Sequence, residues 1–376
     1  MKPLRSGYTT GACATAAAKG AALMLSLQQL VNEVTIILPR GDVACFILHG
    51  QRFSPSEATC FVVKDAGDDP DITNGAEIHV TISFMASDSP SPSLSPSPSP
   101  RPSPTRGEGA IVISGGAGIG KVTKPGLAVK PGEWAINPVP RRMITEAIQS
   151  VSTFHSSPFT IHCLISIPNG ELLAQKTLNA RLGIIGGLSI LGTTGVVRPI
   201  SAQAWTDTID AAIDVALACG CESVVLSTGR TSELVATKHL NHTPPLPEEA
   251  FIMMGDHVGH ALRSCTQKGA KQIILAGQFA KLLKIACGHE QTHVTSSDLD
   301  LQQLREWLSA SPQTLPCATH VNNAITARGV LESSGNDAAL IDLVCQQARE
   351  FAESLAPGAS LKVLLAGYGG EVLYFG

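Results

Sequence analysis

The sequence predicts a two-domain protein of mixed class: an α+β domain over residues 1–200 and an α/β domain over residues 201–376. Three observations predict it. After Pro199, apolar strands, Gly-bearing loops and helices recur in turn, the pattern of a parallel sheet covered by helices. Before Pro199, short strands of alternating polarity dominate and helices are few. The 376 residues also exceed one ordinary domain of roughly 150 residues.

The elements follow in order. The Ala-rich run from residue 10 to 30 reads as an amphipathic helix, with Thr9 or Thr10 positioned to cap its first amides. Strands at 34–38, 44–48 and 59–63 lead into an acidic, Gly-rich turn over 64–75. Alternating strands at 77–84 and 110–114 flank residues 87–104, in which eight Ser and seven Pro fill 15 of 18 positions. Such a segment lacks the amide donors and apolar side chains that ordered structure needs, so it predicts a disordered Ser/Pro insertion, reaching to about residue 108, at the tip of a hairpin formed by its two flanking strands. A helix near 140–152 and a strand at 159–167 complete the first domain. In the second, a helix at 202–219, a strand at 223–226 and the loop 227–233 precede a helix at 256–268. A strand at 272–275, a helix after Gly277, helices at 298–308 and 336–355, and a terminal hairpin at 361–375 turning at Gly369-Gly370 follow.

Composition excludes several classes. Net charge is −4 and aromatics are 4%. The chain therefore offers neither a basic surface for a phosphate backbone nor stacking platforms for bases, and nucleic acid is not an expected partner. No apolar stretch has the ~20 residues of a membrane span. Ten scattered cysteines without a CxxC pair read as buried thiols of a reducing compartment, so the expected location is the cytoplasm.

Five motifs bear on chemistry. Gly115-Gly-Ala-Gly-Ile-Gly-Lys121 has P-loop spacing, but Val122 stands where the hydroxyl that holds magnesium belongs, and Lys-Pro-Gly follows. His289-Glu-Gln-Thr-His293 is a literal HExxH, which on a helix would place two imidazoles for zinc with Glu290 as base; preceded by Gly288 and without a marked third ligand, it reads as accidental. His257 and His260 read as solvated or capping groups. The turn 64–75 gathers Asp65, Asp68, Asp69 and Asp71; their repulsion calls for a ligand, a cation or a buried lysine. The loop 227–233, Ser-Thr-Gly-Arg-Thr-Ser-Glu, leaves a strand of an α/β domain, where ligands gather. Lys121, Lys124, Lys130, Arg141 and Arg142 form a cation cluster suited to a polyanionic ligand.

These segments together resemble one family. Gly7-Tyr-Thr-Thr-Gly-Ala-Cys-Ala-Thr-Ala-Ala-Ala-Lys19, the 64–75 turn, 115–126, Asn137-Pro-Val-Pro-Arg141, Gly192-Thr-Thr-Gly-Val-Val-Arg-Pro199 and 288–293 are similar to the CbiD-type methyltransferases of anaerobic cobalamin biosynthesis. The resemblance implies methyl transfer from S-adenosylmethionine to C-1 of cobalt-precorrin-5B, giving cobalt-precorrin-6A. It implies a second domain of Rossmann-like, three-layer α/β form. The expected corrinoid contacts are Thr9, Thr10, Gly11, Asp65, Lys121, Lys124, Arg141 and Arg142 in the first domain. The expected cofactor contacts are Ser227, Thr228, Gly229, Thr231 and Glu233, although this loop departs from the family's usual Gly-Asn-x-Gly-Glu. Asp68 and His293 are the candidates for proton handling. No protein-bound metal is expected, the partner is a cobalt corrinoid rather than a membrane, and a homo-oligomer is allowed. The other readings open at this stage are a P-loop-like ATPase or kinase and an HExxH zinc hydrolase.

Overall fold

The structure is a computed structural model that describes residues 4–85, 110–151, 160–199, 201–241, 245–322 and 324–376. The chain divides into two compact units, Met1–Ser201 and Ala202–Gly376.

In the first unit the helix Thr10–Leu27 lies against a five-stranded sheet. Thr9 caps it, accepting from the Ala12 amide at 3.2 Å, and Gln28 ends it in the left-handed region at φ 50°. The helix is buried on nearly all sides rather than amphipathic. Its alanines let the sheet and the helix Pro138–Gln149 approach closely, and a Cβ on Gly20 would lie 2.3 Å from Leu48. Lys19, which interrupts the apolar run, sends its ammonium to the Thr35 carbonyl at 2.7 Å. Residues Ile78, Val80 and Ile82 and, beside them, Ile161, Cys163 and Ile165 form the sheet's inner face. A separate antiparallel ribbon, Glu33–Ile37 with Val43–Ile47, turns Val34, Ile36, Ala44 and Phe46 inward.

The sheet corrects the predicted hairpin. Its order is His49–Phe53, Glu57–Val63, Glu77–Met85, Thr160–Ser166, Ile111–Gly115. Thr160–Ser166 therefore stands between the two strands expected to pair, antiparallel to one and parallel to the other. Its alternate side chains are fully buried, which makes it a central strand. Residues 87–104 lie outside the described residues. Met85, Thr160 and Ile111 share one end of the sheet, so the chain between Met85 and Ile111 needs to cross about 10 Å, two strand spacings. After deletion of residues 87–104, residues 86 and 105–110 still span that distance. The deletion is expected to leave the melting temperature within a few degrees in a calorimetric scan; a larger loss would contradict this connection.

The second unit is built on a five-stranded sheet in the order Phe251–Met253, Ser223–Ser227, Gln272–Gln278, Ser360–Ala366, Val372–Phe375. The first four strands are parallel and the last is antiparallel, the expected terminal hairpin. Runs such as Val224, Val225 and Leu226, or Ile273 to Ala276, are buried on both faces, as a covered parallel sheet requires. The edge strand Phe251–Met253 and the helix Arg230–Leu240 are additions to the predicted elements. Most cysteines are buried, but Cys45 and Cys219 are exposed, against the expectation of ten core thiols. Among the described residues no helix is long and apolar enough to cross a membrane.

Candidate functional site

In chain order the strands of the second unit run 2-1-3-4-5, so the order reverses between Ser223–Ser227 and Gln272–Gln278. The connection from the first strand leads outward to Phe251–Met253, and that from Gln272–Gln278 leads the other way. The segments leaving the carboxyl ends of these two strands thus diverge, and the crevice so formed is where open α/β sheets bind ligands.

Ser227 ends its strand there. Its carbonyl accepts from the amides of Met254 at 3.0 Å and Gly255 at 3.2 Å. Its hydroxyl is fully buried and has no hydrogen-bond partner among the described residues. A buried hydroxyl left alone is costly and calls for an explanation. Thr228 shares a 3.4 Å contact with the Ser232 hydroxyl, which donates to the Gly229 carbonyl at 2.8 Å.

The predicted loop 227–233 is shorter than expected: Arg230 already opens a helix, with Gly229 as its N-cap. Thr231 is exposed and Glu233 is buried in the first turn. Gly229 has φ 175° and ψ 174°, extended backbone that any residue adopts, so no tight turn demands a glycine. Among the described residues, its chain neighbours aside, nothing lies within 4 Å of where its Cβ would stand. The glycine therefore leaves open room above the strand end and the first helical amides.

The neighbouring loop is held by a charged network that sequence reasoning missed. Thr292, fully buried, donates its hydroxyl to Asp256 at 2.6 Å, and its amide donates to the Asp256 carbonyl at 3.1 Å. Lys281 pairs with the same carboxylate and donates to the Thr292 carbonyl at 3.0 Å. Burial pushes the Asp256 carboxyl up, but the bonds from Lys281 and Thr292 outweigh it and hold the group below the usual carboxylate range. Lys284 donates to the carbonyls of Thr292 at 3.2 Å and Ser297 at 2.7 Å, and burial draws its ammonium down. The only available signal was that Thr292-His293 belongs to a matched segment.

That segment is not helical, and Glu290 is held by Arg263 at 2.5 Å. The HExxH residues therefore lack the one-face spacing of a zinc helix. His257 stands at the N-cap position of the helix Val258–Gln267 without a side-chain cap bond and accepts from Gln291 at 2.7 Å, while His260 meets Asp210 at 3.0 Å. His293 is exposed, its Nδ1 2.8 Å from the Thr295 hydroxyl.

In the first unit, Gly115 ends a strand and Lys121 begins another, so no helix starts where the Gly-rich loop ends, and the P-loop reading fails on geometry. The Lys121 ammonium lies 4.6 Å from the Trp134 ring centroid, and that of Lys124 lies 3.4 Å from the Arg181 carbonyl. Arg141 binds the Ile136 carbonyl at 2.8 Å and reaches those of Ile113 and Trp134 more distantly; Arg142 is exposed, 3.9 Å from Glu146. The acidic turn finds its cations within the protein. Asp71 pairs with buried Lys64, Asp65 pairs with Arg5, and the Asp68 carboxylate accepts the Arg5 amide at 2.6 Å. Thr9 and Thr10 bond inward, Thr10 accepting from the Leu191 amide at 3.0 Å, and a Cβ on Gly11 would meet Pro140 at 2.8 Å. The structure thus brings Thr9–Gly11 together with 189–192, and 64–75 together with residues 5–8.

A family model described as CbiD matches residues 1–199. Among curated relatives, a protein of Geobacter sulfurreducens named cobalt-precorrin-5B C(1)-methyltransferase is 60% identical over 380 residues, covering 100% of this chain and 99% of the relative. One of the same name from Geotalea daltonii is 61% identical and covers 99% of both. A crystal structure of the cobalamin biosynthesis protein CbiD from Archaeoglobus fulgidus is 29% identical and covers 76% of this chain and 81% of that one, at a TM-score of 0.39. Matched by the family's own model over more than half its length, and by relatives of equal length at about 60% identity, the chain belongs to the CbiD family.

Proposed function

We propose that the chain transfers a methyl group from S-adenosylmethionine to C-1 of cobalt-precorrin-5B, forming cobalt-precorrin-6A in anaerobic cobalamin biosynthesis. The observation that carries the reaction is the full-length match, at 60–61% identity, with relatives named for it. The second unit, read as a Rossmann-like domain, holds the methyl donor over the carboxyl ends of its central strands. The open space at Gly229 and the orphan hydroxyl of Ser227 support that placement, with Thr228, Thr231 and Glu233 at its margin.

The donor supplies a sulfonium-bound methyl: the new bond forms to carbon as the sulfur–methyl bond breaks, and the bonding pair returns to a neutral thioether. The protein's part is to bind, orient and exclude water, which accounts for large rate effects without a covalent nucleophile. The first unit takes the corrinoid, whose carboxylates find Lys121, Lys124, Arg141 and Arg142. Thr9, Thr10, Gly11 and Asp65 complete the proposed corrinoid contacts. Calorimetry with S-adenosylhomocysteine tests the donor half of this reading; one-to-one binding is expected, and no binding would overturn it.

Asp68 and His293 are the groups offered for proton movement. His293, exposed beside the anchored Thr292, is the stronger of the two. His293→Ala is expected to lower kcat by ~10²-fold, the scale of a lost general acid or base. His289→Ala is expected to stay within a few-fold, because His289 belongs to no zinc geometry. Equal losses in both variants, with stoichiometric zinc by elemental analysis, would contradict this.

A further inference from the structure

A cleft of about 300 Å³ opens on the second unit, lined by Gln203, His257, His260, Arg263, Glu290 and Gln291 among others. The chain links it to the strand end already described: Met254 and Gly255, whose amides bond the Ser227 carbonyl, are followed by Asp256 and by His257 of the cleft wall. Its polar lining contains one strong cation and one strong anion, Arg263 and Glu290, joined at 2.5 Å and each nearly half exposed, at 45% and 44%. Such an exposed pair contributes little, so a ligand can open it at small cost. A lone anion entering would leave Glu290 facing a like charge, and a lone cation would do the same to Arg263. A ligand that carries both signs a few ångströms apart satisfies both residues at once. Gln291 holds the His257 ring at 2.7 Å, and Asp210 holds His260, so both imidazoles are set as walls.

We infer that this cleft receives the zwitterionic α-amino acid end of the methyl donor, its carboxylate at Arg263 and its ammonium at Glu290. The inference rests on the proposed placement of the donor over the strand end at Ser227 to Gly229. It gives Arg263 and Glu290 a role in choosing the ligand that the HExxH reading would not assign.

The test compares S-adenosylhomocysteine with 5′-methylthioadenosine, which lacks the amino acid end, by calorimetry on the full chain. The wild type is expected to bind S-adenosylhomocysteine at least about tenfold more tightly, the worth of one charge-assisted contact. Arg263→Ala and Glu290→Gln are each expected to lower that affinity about tenfold or more and to leave methylthioadenosine unchanged. Equal affinity of the wild type for both ligands would overturn the inference, as would variants that shift both ligands alike or neither. If methylthioadenosine binding is lost in Gly229→Val while the preference survives in both cleft variants, the donor's placement stands and this inference alone fails. If the wild type binds neither ligand, both fail.

Discussion

Gly229→Val is expected to weaken S-adenosylhomocysteine binding by about 10²-fold while the protein stays folded. The two halves of that expectation come from one geometry. Gly229 is extended, at φ 175°, and a valine adopts that backbone without strain. Among the described residues, its chain neighbours aside, nothing lies within 4 Å of the new Cβ, so the free fold has room for it. The cost in the free state is the poorer N-cap, ~1 kcal/mol. The bound state differs, because the valine methyls occupy the space assigned to the ligand, and overpacking of that kind costs about 1–3 kcal/mol. Calorimetric titration paired with a thermal scan separates the two effects. Unchanged affinity in a folded variant would remove the ligand from this strand end.

The largest stability effect is expected at Asp71→Ala. Lys64 is almost fully buried, its side chain 1% exposed, and Asp71 is its counter-ion. Asp71 also accepts from the Thr73 amide at 2.8 Å and hydroxyl at 2.7 Å. Removing the carboxylate strands a buried ammonium, which costs about 3–5 kcal/mol. Adding Lys64→Met to the variant is expected to restore much of the loss, because an apolar replacement for a buried pair is often neutral. Burial pushes the Asp71 carboxyl up, but Lys64 and Thr73 outweigh it and hold it below its ordinary value. The carboxylate therefore stabilises the fold above its unfolded value of about 3.9, and that contribution is lost as pH falls through the lower folded value. Acid unfolding of the wild type should show this loss and Asp71→Ala should not. A variant as stable as the wild type at neutral pH would contradict the assignment.

What the sequence made legible follows from where the forces are local. Val224 to Leu226 and Ile273 to Ala276 are apolar without alternation, so a covered parallel sheet was readable from them. Thr9 was readable as a cap because the amide that donates to it, that of Ala12, lies one turn away. The strand Thr160–Ser166 was also readable, but its neighbours were not. Its place between Glu77–Met85 and Ile111–Gly115 is a long-range choice that the burial of Ile161, Cys163 and Ile165 decides. His49–Phe53 is mostly exposed and carries no apolar alternation, and Phe251–Met253 is too short to show a period. At the candidate site, Ser227 and Gly229 stand out in the sequence because a loop leaving a strand of an α/β domain is a local feature. The bond from Thr292 to Asp256 crosses 36 positions and has no local signature. HExxH and the P-loop spacing show the converse: short matches whose chemistry needs a helix that the surrounding residues do not form.

The central claim is a methyl transfer from S-adenosylmethionine to one carbon of one corrinoid. Incubation of the full chain with cobalt-precorrin-5B and S-adenosylmethionine labelled with carbon-13 in the transferable methyl tests it most directly. Carbon NMR of the isolated corrinoid is expected to show one labelled methyl, attached at C-1, with an equivalent of S-adenosylhomocysteine released. Label at another carbon, or a corrinoid recovered without label by a protein that binds both reactants, would contradict the account.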